Sequence, residues 1–233
     1  MLHQAAFRDA APLITIVDDE DIVRRSLVDL FVSFDLPAIA FDGASEFLAG
    51  FNPERPGCLV LDINMPDCSG LELQRRLSDM GCSQPVVFIT GFEDVKISID
   101  AMKAGATDFF LKPFDSAQVV AAALRAIDLD GERRSERVLL GGAQRCYEKL
   151  TPREREVLRF VTDGLLNKQI AWEMGISEIM VKLHRGRMMK KMECRTLSEL
   201  VRRYDLLIMA ENASSQETHS QFLSDTRYPS RIL

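Results

Sequence analysis

The chain has 233 residues, room for one and a half to two domains at roughly 150 residues each, and its 46% hydrophobic and 27% charged side chains are ordinary for a globular protein with a sizeable core. No apolar run approaches the ~18–20 residues that span a bilayer. The N-terminal MLHQAAFRDAAP lacks the basic and apolar regions of a signal peptide, and five scattered cysteines without a CxxC pair support neither a disulfide scaffold nor a metal cluster. The reading is a cytosolic chain with no membrane partner. The net charge of −6 is uneven: residues 1–128 carry 10 Lys/Arg against 20 Asp/Glu, whereas residues 151–210 carry 12 against 8. Charge alone leaves chance and a polyanion-binding second half equally open.

After an N-terminal extension over 1–12, short apolar runs at 13–17, 38–41, 58–61, 86–90 and 108–111 alternate with amphipathic stretches at 21–34, 44–50, 70–80, 94–104 and 115–128. Strands this apolar, bounded by Gly, Pro or Asp, suit a parallel sheet buried on both faces. Five strand–helix repeats predict a doubly wound α/β domain over 13–128. Asp115, three residues before Gln118, is placed to cap the last helix. Residues 129–147 read as a charged linker, helical up to Leu140, where Gly141-Gly142 ends it. From 148 to 210 the pattern is all-helical. Thr151-Pro152-Arg153-Glu154 and Thr196-Leu197-Ser198-Glu199 are capping boxes, Ser177 caps a third helix, and Gly175 marks the tight turn of a helix-turn-helix. The Ser/Gln-rich 211–233 reads as a disordered tail.

In an open parallel sheet, function collects beyond the carboxyl ends of the strands. Those ends carry Asp18 and Asp19, Asp62, Thr90 and Lys112. An Asp after a strand is usually a helix cap, but five such residues on four strands are hard to attribute to coincidence. Converging carboxylates repel unless a cation neutralises them, and carboxylates with water suit Mg²⁺. With Lys112 beside them, Asp62 is placed to accept a phosphoryl group whose charge Mg²⁺ and Lys112 stabilise and whose oxygens the Thr90 hydroxyl reports.

At these residues the segment 13–128 resembles the receiver domain of bacterial response regulators, with a sheet of order 2-1-3-4-5. TGFEDVKISIDAMKAGATDFFLKPF resembles the FixJ branch. The resemblance implies Asp62 as phosphoacceptor, Asp19 as principal Mg²⁺ ligand, Asp18 acting through water and the backbone carbonyl of Asn64 completing the set. It further implies Thr90 as switch hydroxyl, Lys112 as phosphate partner before a cis Pro113, and Phe109 as the aromatic that swings inward. Phe92 stands where the branch usually has His, which bears on dephosphorylation.

LTPREREVLRFVTDGLLNKQIAWEMGISEIMVKLHRGRMMKKM resembles the LuxR/NarL-type four-helix DNA-binding domain. On its third helix Val181, Met188 and Met192 form a buried stripe, and the resemblance puts Lys182, Leu183 and Gly186 nearest the bases in the major groove. Arg185, Arg187, Lys190 and Lys191 are placed for phosphate, His184 for the backbone, and Lys168 for a phosphate at the second helix's start. Met180 and Gly186 depart from the pattern, so sequence preference is not inferred. Trp172, the only tryptophan, reads as a packing residue.

Together these imply a FixJ/NarL-type transcriptional regulator rather than a dedicated enzyme, the receiver assisting only its own phosphorylation and dephosphorylation. The implied partners are a sensor histidine kinase, double-stranded promoter DNA, RNA polymerase, and a second copy of the chain through Val95, Ile99, Met102, Lys103 and Phe109. Two alternatives stand beside this: a phosphorylation-independent DNA-binding regulator whose receiver only dimerises or senses a ligand, and an adaptor whose basic module binds protein.

Overall fold

A computed structural model describes residues 11–91 and 95–225, and their side chains except at 95–98 and 213–225. It divides into two compact units at Ser135/Glu136. In the first, five strands alternate with helices: β1 Leu13–Val17, α1 Asp21–Ser33, β2 Ala38–Phe41, α2 Ala44–Gly50, β3 Gly57–Asp62, α3 Gly70–Asp79, β4 Val86–Thr90, α4 Val95–Lys103, β5 Asp108–Leu111, then α5 Ser116–Glu148. All pairings are parallel, in the order β2-β1-β3-β4-β5.

Every residue of β1, β3 and β4 is buried, so alternate side chains serve two cores. Ile14, Ile16, Val60, Val87 and Ile89 pack with Phe31 of α1 and Val119 of α5. Val17, Leu59, Leu61 and Phe88 pack with Phe47, Leu73 and Ala101 from α2, α3 and α4. The register levels the carboxyl ends: Val17 faces Leu61, Asp62 faces Ile89, and Thr90 faces Leu111. Gly70 opens α3 where an added Cβ would lie 2.2 Å from the Asp62 carbonyl oxygen. Only glycine lets a helix start this close to the end of β3.

Helix α5 differs from the expected linker. Asp115 caps its first turn through the N–H groups of Ala117 and Gln118, but the helix runs through Gly131 and Gly141-Gly142 to Glu148. A helical glycine costs about 1 kcal/mol, which tertiary contacts outweigh. The contacts begin where the linker was expected. Buried Asp130 accepts from the Gly57 N–H (2.9 Å) and Arg134 Nε (2.6 Å), and Arg134 also donates to the carbonyls of Pro53, Glu54 and Arg55. Burial, reinforced by Asp130, pushes the neighbouring Cys58 thiol up to about 12. Residues 129–135 are therefore part of the first unit.

The second unit holds the last turns of α5 with α6 Pro152–Thr162, α7 Asn167–Met174, α8 Glu178–Lys191 and α9 Leu197–Asp225. Its core joins Cys146, Val157, Leu158, Val161, Ile170, Val181, Met188, Met192 and Leu200. Both expected capping boxes form, at Thr151/Glu154 and Thr196/Glu199. Gly175 ends α7 at φ 64°, a left-handed turn that suits glycine and aims α8. Helix α9 continues through 211–225, where a disordered tail was expected; no Gly or Pro interrupts that stretch. Residues 1–10 and 226–233 lie outside the described residues.

Glu154 does more than cap: its buried carboxylate also accepts from Lys191 Nζ at 2.7 Å, tying α6 to the end of α8. Burial alone would raise its pKa, but the Lys191 ammonium and the Thr151 N–H and hydroxyl hold it below the usual glutamate value. A carboxyl depressed by folding stabilises the fold above its unfolded pKa, and that share is lost as pH falls through the folded value. Glu154→Gln is therefore expected to remove part of the second unit's stability loss between about pH 5 and pH 3. Peptide-resolved hydrogen exchange across that range checks this; an unchanged acid profile contradicts it.

Candidate functional site

The strand ends assemble a charged cluster around one ammonium. Lys112, following β5, places Nζ 2.8 Å from Asp18 Oδ2, 3.1 Å from Asp62 Oδ1 and 2.9 Å from Glu20 Oε1. The Asp18 and Asp62 side chains are almost wholly buried, at 2% and 5% exposure, and that of Lys112 at 15%. Local bonds aim each group. Asp18 Oδ1 accepts from the Glu20 N–H, Asp62 Oδ2 accepts from the Asn64 N–H at 2.6 Å, and the Lys112 N–H donates to the Thr90 carbonyl. Arg24 donates to the Asp18 carbonyl, fixing the β1–α1 turn. Thr90 is fully buried at the end of β4, and the Lys112–Pro113 bond is cis.

Burial raises the Asp62 carboxyl above the usual aspartate range; Lys112 and the Asn64 N–H oppose this, and Asp18 adds to it. Burial would lower the Lys112 pKa, but its bonds to Asp18, Glu20 and Asp62 raise it. The cluster is thus a pair of buried carboxylates held against one fixed cation. Two buried carboxylates sharing one ammonium are hard oxygen donors short of positive charge, a set that fits Mg²⁺. Among the described residues no three Asp, Glu, His or Cys side chains form a ready cage. An ion that keeps several waters and takes one or two carboxylates does not need one.

Of the three carboxylates expected at the site, Asp18 and Asp62 share Lys112, whose third carboxylate partner is Glu20, and the adjacent Asp19 is exposed to solvent. Glu20 was missed because an acidic residue opening a helix reads as dipole compensation. Phe109 and Phe110 split between the two faces of β5, Phe109 half-buried against the α2–α4 side. Ile99 and Met102 of α4 are about half exposed, and Lys103 is exposed. Phe92 and the side chain of Val95 lie outside the described residues.

In the second unit, α8 turns Val181, Met188 and Met192 inward, each fully buried, as its periodicity predicts. Lys182, Leu183, Gly186, Arg187 and Lys190 form its exposed face. Lys168 is exposed in the first turn of α7. His184 and Arg185 are half-buried, and Arg185 donates to Asn167 Oδ1 at 3.2 Å, bracing α8 against the start of α7. Two expectations need correcting. Lys191 is held by buried Glu154 rather than offered to phosphate. Trp172 is 81% exposed rather than packed, because Ile170 and Ala171 occupy the buried face of α7.

Comparison with known proteins identifies both units. The family model "Response regulator receiver domain" matches residues 14–124, and "Bacterial regulatory proteins, luxR family" matches residues 148–204. The chain belongs to the bacterial response regulators. It is 39% identical to Nodulation protein W of Bradyrhizobium diazoefficiens over 88% of this chain and 90% of that protein. Identity to the response regulator protein TodT of Pseudomonas putida is 42%, covering 83% and 86%. Among solved structures, the response regulator StyR matches at TM-score 0.74 and 41% identity over 84% of this chain and 99% of StyR. Full-length FixJ from B. japonicum matches at TM-score 0.52 and 34% identity, covering 85% and 98%.

This response regulator therefore joins a receiver to a LuxR-type DNA-binding domain, the architecture of transcriptional regulators of two-component systems rather than of a metabolic enzyme. Receivers of this family typically use Mg²⁺. Among the described residues no helix is long and apolar enough to cross a membrane. Its departures at Met180 and Gly186 lie on the exposed side of α8. A Cβ at Gly186 would meet nothing within 4 Å, so Gly186→Ala is expected to stabilise the second unit by about 1 kcal/mol through helix propensity alone. Urea unfolding checks this, and destabilisation would contradict it.

Proposed function

We propose that Asp62 accepts a phosphoryl group from a sensor histidine kinase and that the modification switches receiver pairing and DNA binding by the second unit. The observation that best supports this is the single Lys112 ammonium shared by buried Asp18 and Asp62 at level strand ends. An Asp62 carboxylate oxygen attacks phosphorus, a P–O bond forms, and the P–N bond to the donor histidine breaks with its electrons leaving on nitrogen. Lys112 stabilises charge on the transferring oxygens, and the Thr90 hydroxyl offers the new phosphoryl a hydrogen bond. Asp18, Asp19, Asp62 and the Asn64 carbonyl would hold Mg²⁺, which supplies charge neutralisation at phosphorus.

The half-exposed Ile99 and Met102, beside Lys103 and Phe109, support pairing of two receivers through the α4–β5 face, with Phe109 as the aromatic that responds. Two paired chains would set two recognition helices on adjacent half-sites. Lys182, Leu183 and Gly186 would face the bases, while Lys168, His184, Arg185, Arg187 and Lys190 approach the backbone. Cytoplasmic location and contact with RNA polymerase follow from the same reading.

Binding to DNA selected from a random duplex pool, measured over a salt series with and without a small phosphodonor and Mg²⁺, tests this. The expected result is tighter binding and a dimer with the donor, and a steep loss of affinity with salt in both states. Equal affinity in the two states would favour the phosphorylation-independent regulator instead.

A further inference from the structure

We propose that Trp172 is a DNA-backbone contact of α7, its indole lying against the sugar–phosphate strand that this helix crosses; the proposal rests on the DNA-binding reading of the second unit. The chain's only tryptophan is 81% exposed on a helix whose other face is fully committed to the core through Ile170 and Ala171. Its large apolar ring lies in water with a polar N–H at one edge, so a surface that covers the ring and accepts from that N–H would recover the burial.

The neighbours favour DNA as that surface. Lys168 lies four residues earlier, on the same face of α7 and also exposed. Glu173 is about 100° further round the helix. The first helix of a helix-turn-helix crosses the backbone while the second enters the groove, and here α8 presents Lys182, Arg187 and Lys190. The indole Nε1–H is a donor that a phosphate oxygen accepts, and its ring covers deoxyribose without adding charge. A contact of this kind strengthens binding at every sequence and leaves the count of neutralised phosphates unchanged.

The single tryptophan also makes the test direct. The full chain is titrated with a fluorescein-labelled random-sequence duplex of about 30 base pairs, long enough for two half-sites a helical turn apart, at low salt. Anisotropy reports binding, and acrylamide quenching of the tryptophan reports its accessibility in the same samples. The expected result is strong quenching in the free chain, several-fold weaker quenching at saturation, and about tenfold weaker DNA affinity for Trp172→Ala. The slope of log affinity against log salt should stay as in wild type, whereas Lys168→Ala should reduce it by about one. Binding by anisotropy with the tryptophan still fully quenched overturns the proposal and leaves the indole to a protein partner. No binding at any salt overturns the DNA-binding reading itself, and this contact with it.

Discussion

Lys112→Met is expected to slow acyl-phosphate formation from a small phosphodonor by about 100-fold at pH 7, the scale of removing one preorganised charge-stabilising group. Lys112 is the cation bonded to both Asp18 and Asp62, and it is fixed by its position after β5 and by its N–H bond to Thr90. Its loss acts twice. Charge developing on the transferring oxygens loses its nearest cation. The Asp62 carboxyl, already raised by burial, also loses the opposing influence of Lys112, so its pKa rises further and less of it is ionised at a given pH. The rate–pH profile of the variant should therefore shift to higher pH as well as fall. Single-turnover kinetics at several pH values measure both, with circular dichroism confirming the fold. A wild-type rate and profile would show that Lys112 is only a structural counter-ion.

Asp130→Ala is expected to destabilise the first unit by about 3 kcal/mol, the scale of breaking a buried ion pair from one side. The Asp130 side chain is 1% exposed and that of Arg134 18% exposed. Removing the carboxylate takes the hydrogen-bond partner from the buried Gly57 N–H at the start of β3 and the counter-ion from Arg134, which keeps only backbone carbonyls. Hydrogen exchange should rise in peptides covering 52–60 and 128–136 and stay unchanged in peptides from α6 to α8. With a urea slope of about 2 kcal/mol/M, the first unit's midpoint should fall by about 1.5 M. Wild-type protection at both segments would show that the helix is held here by its apolar face alone.

Where burial determined the pattern, the sequence could be read closely. β1 and β4 lie where their apolar runs put them, because a strand buried on both faces leaves little latitude at its ends, and the partly buried edge strands β2 and β5 keep the same bounds by pairing with β1 and β4. Thr151/Glu154 and Ser177 cap as their spacing predicts, since a capping geometry is local. Long-range contacts were illegible. Asp130 and Arg134 read as a charged linker because nothing in their spacing names the carbonyls of Pro53, Glu54 and Arg55. The Gly141-Gly142 pair read as a helix stop, although two half-buried helical glycines cost less than the packing on either side supplies.

The candidate site divides in the same way. Asp62, Asp18 and Lys112 come together because strand ends in a parallel sheet must be level. Glu20 and Asp19, adjacent on one turn, differ in which one reaches Lys112, a choice made by side-chain direction rather than by residue type. Lys191 read as one more cation of a basic run, but a buried carboxylate 37 residues earlier claims it. Trp172 read as core because large aromatics usually are, and its helix buries the neighbouring positions instead.

The proposed switch depends on Asp62 as the phosphoacceptor. Wild type and Asp62→Asn, each with Mg²⁺ and a small phosphodonor, are resolved on a phosphate-affinity gel and then treated at alkaline pH, which hydrolyses an acyl phosphate. An alkali-labile shifted band is expected in wild type and none in Asp62→Asn. A shifted band of equal intensity in both proteins, or none in either when the kinase-bound phosphohistidine is the donor, would contradict it.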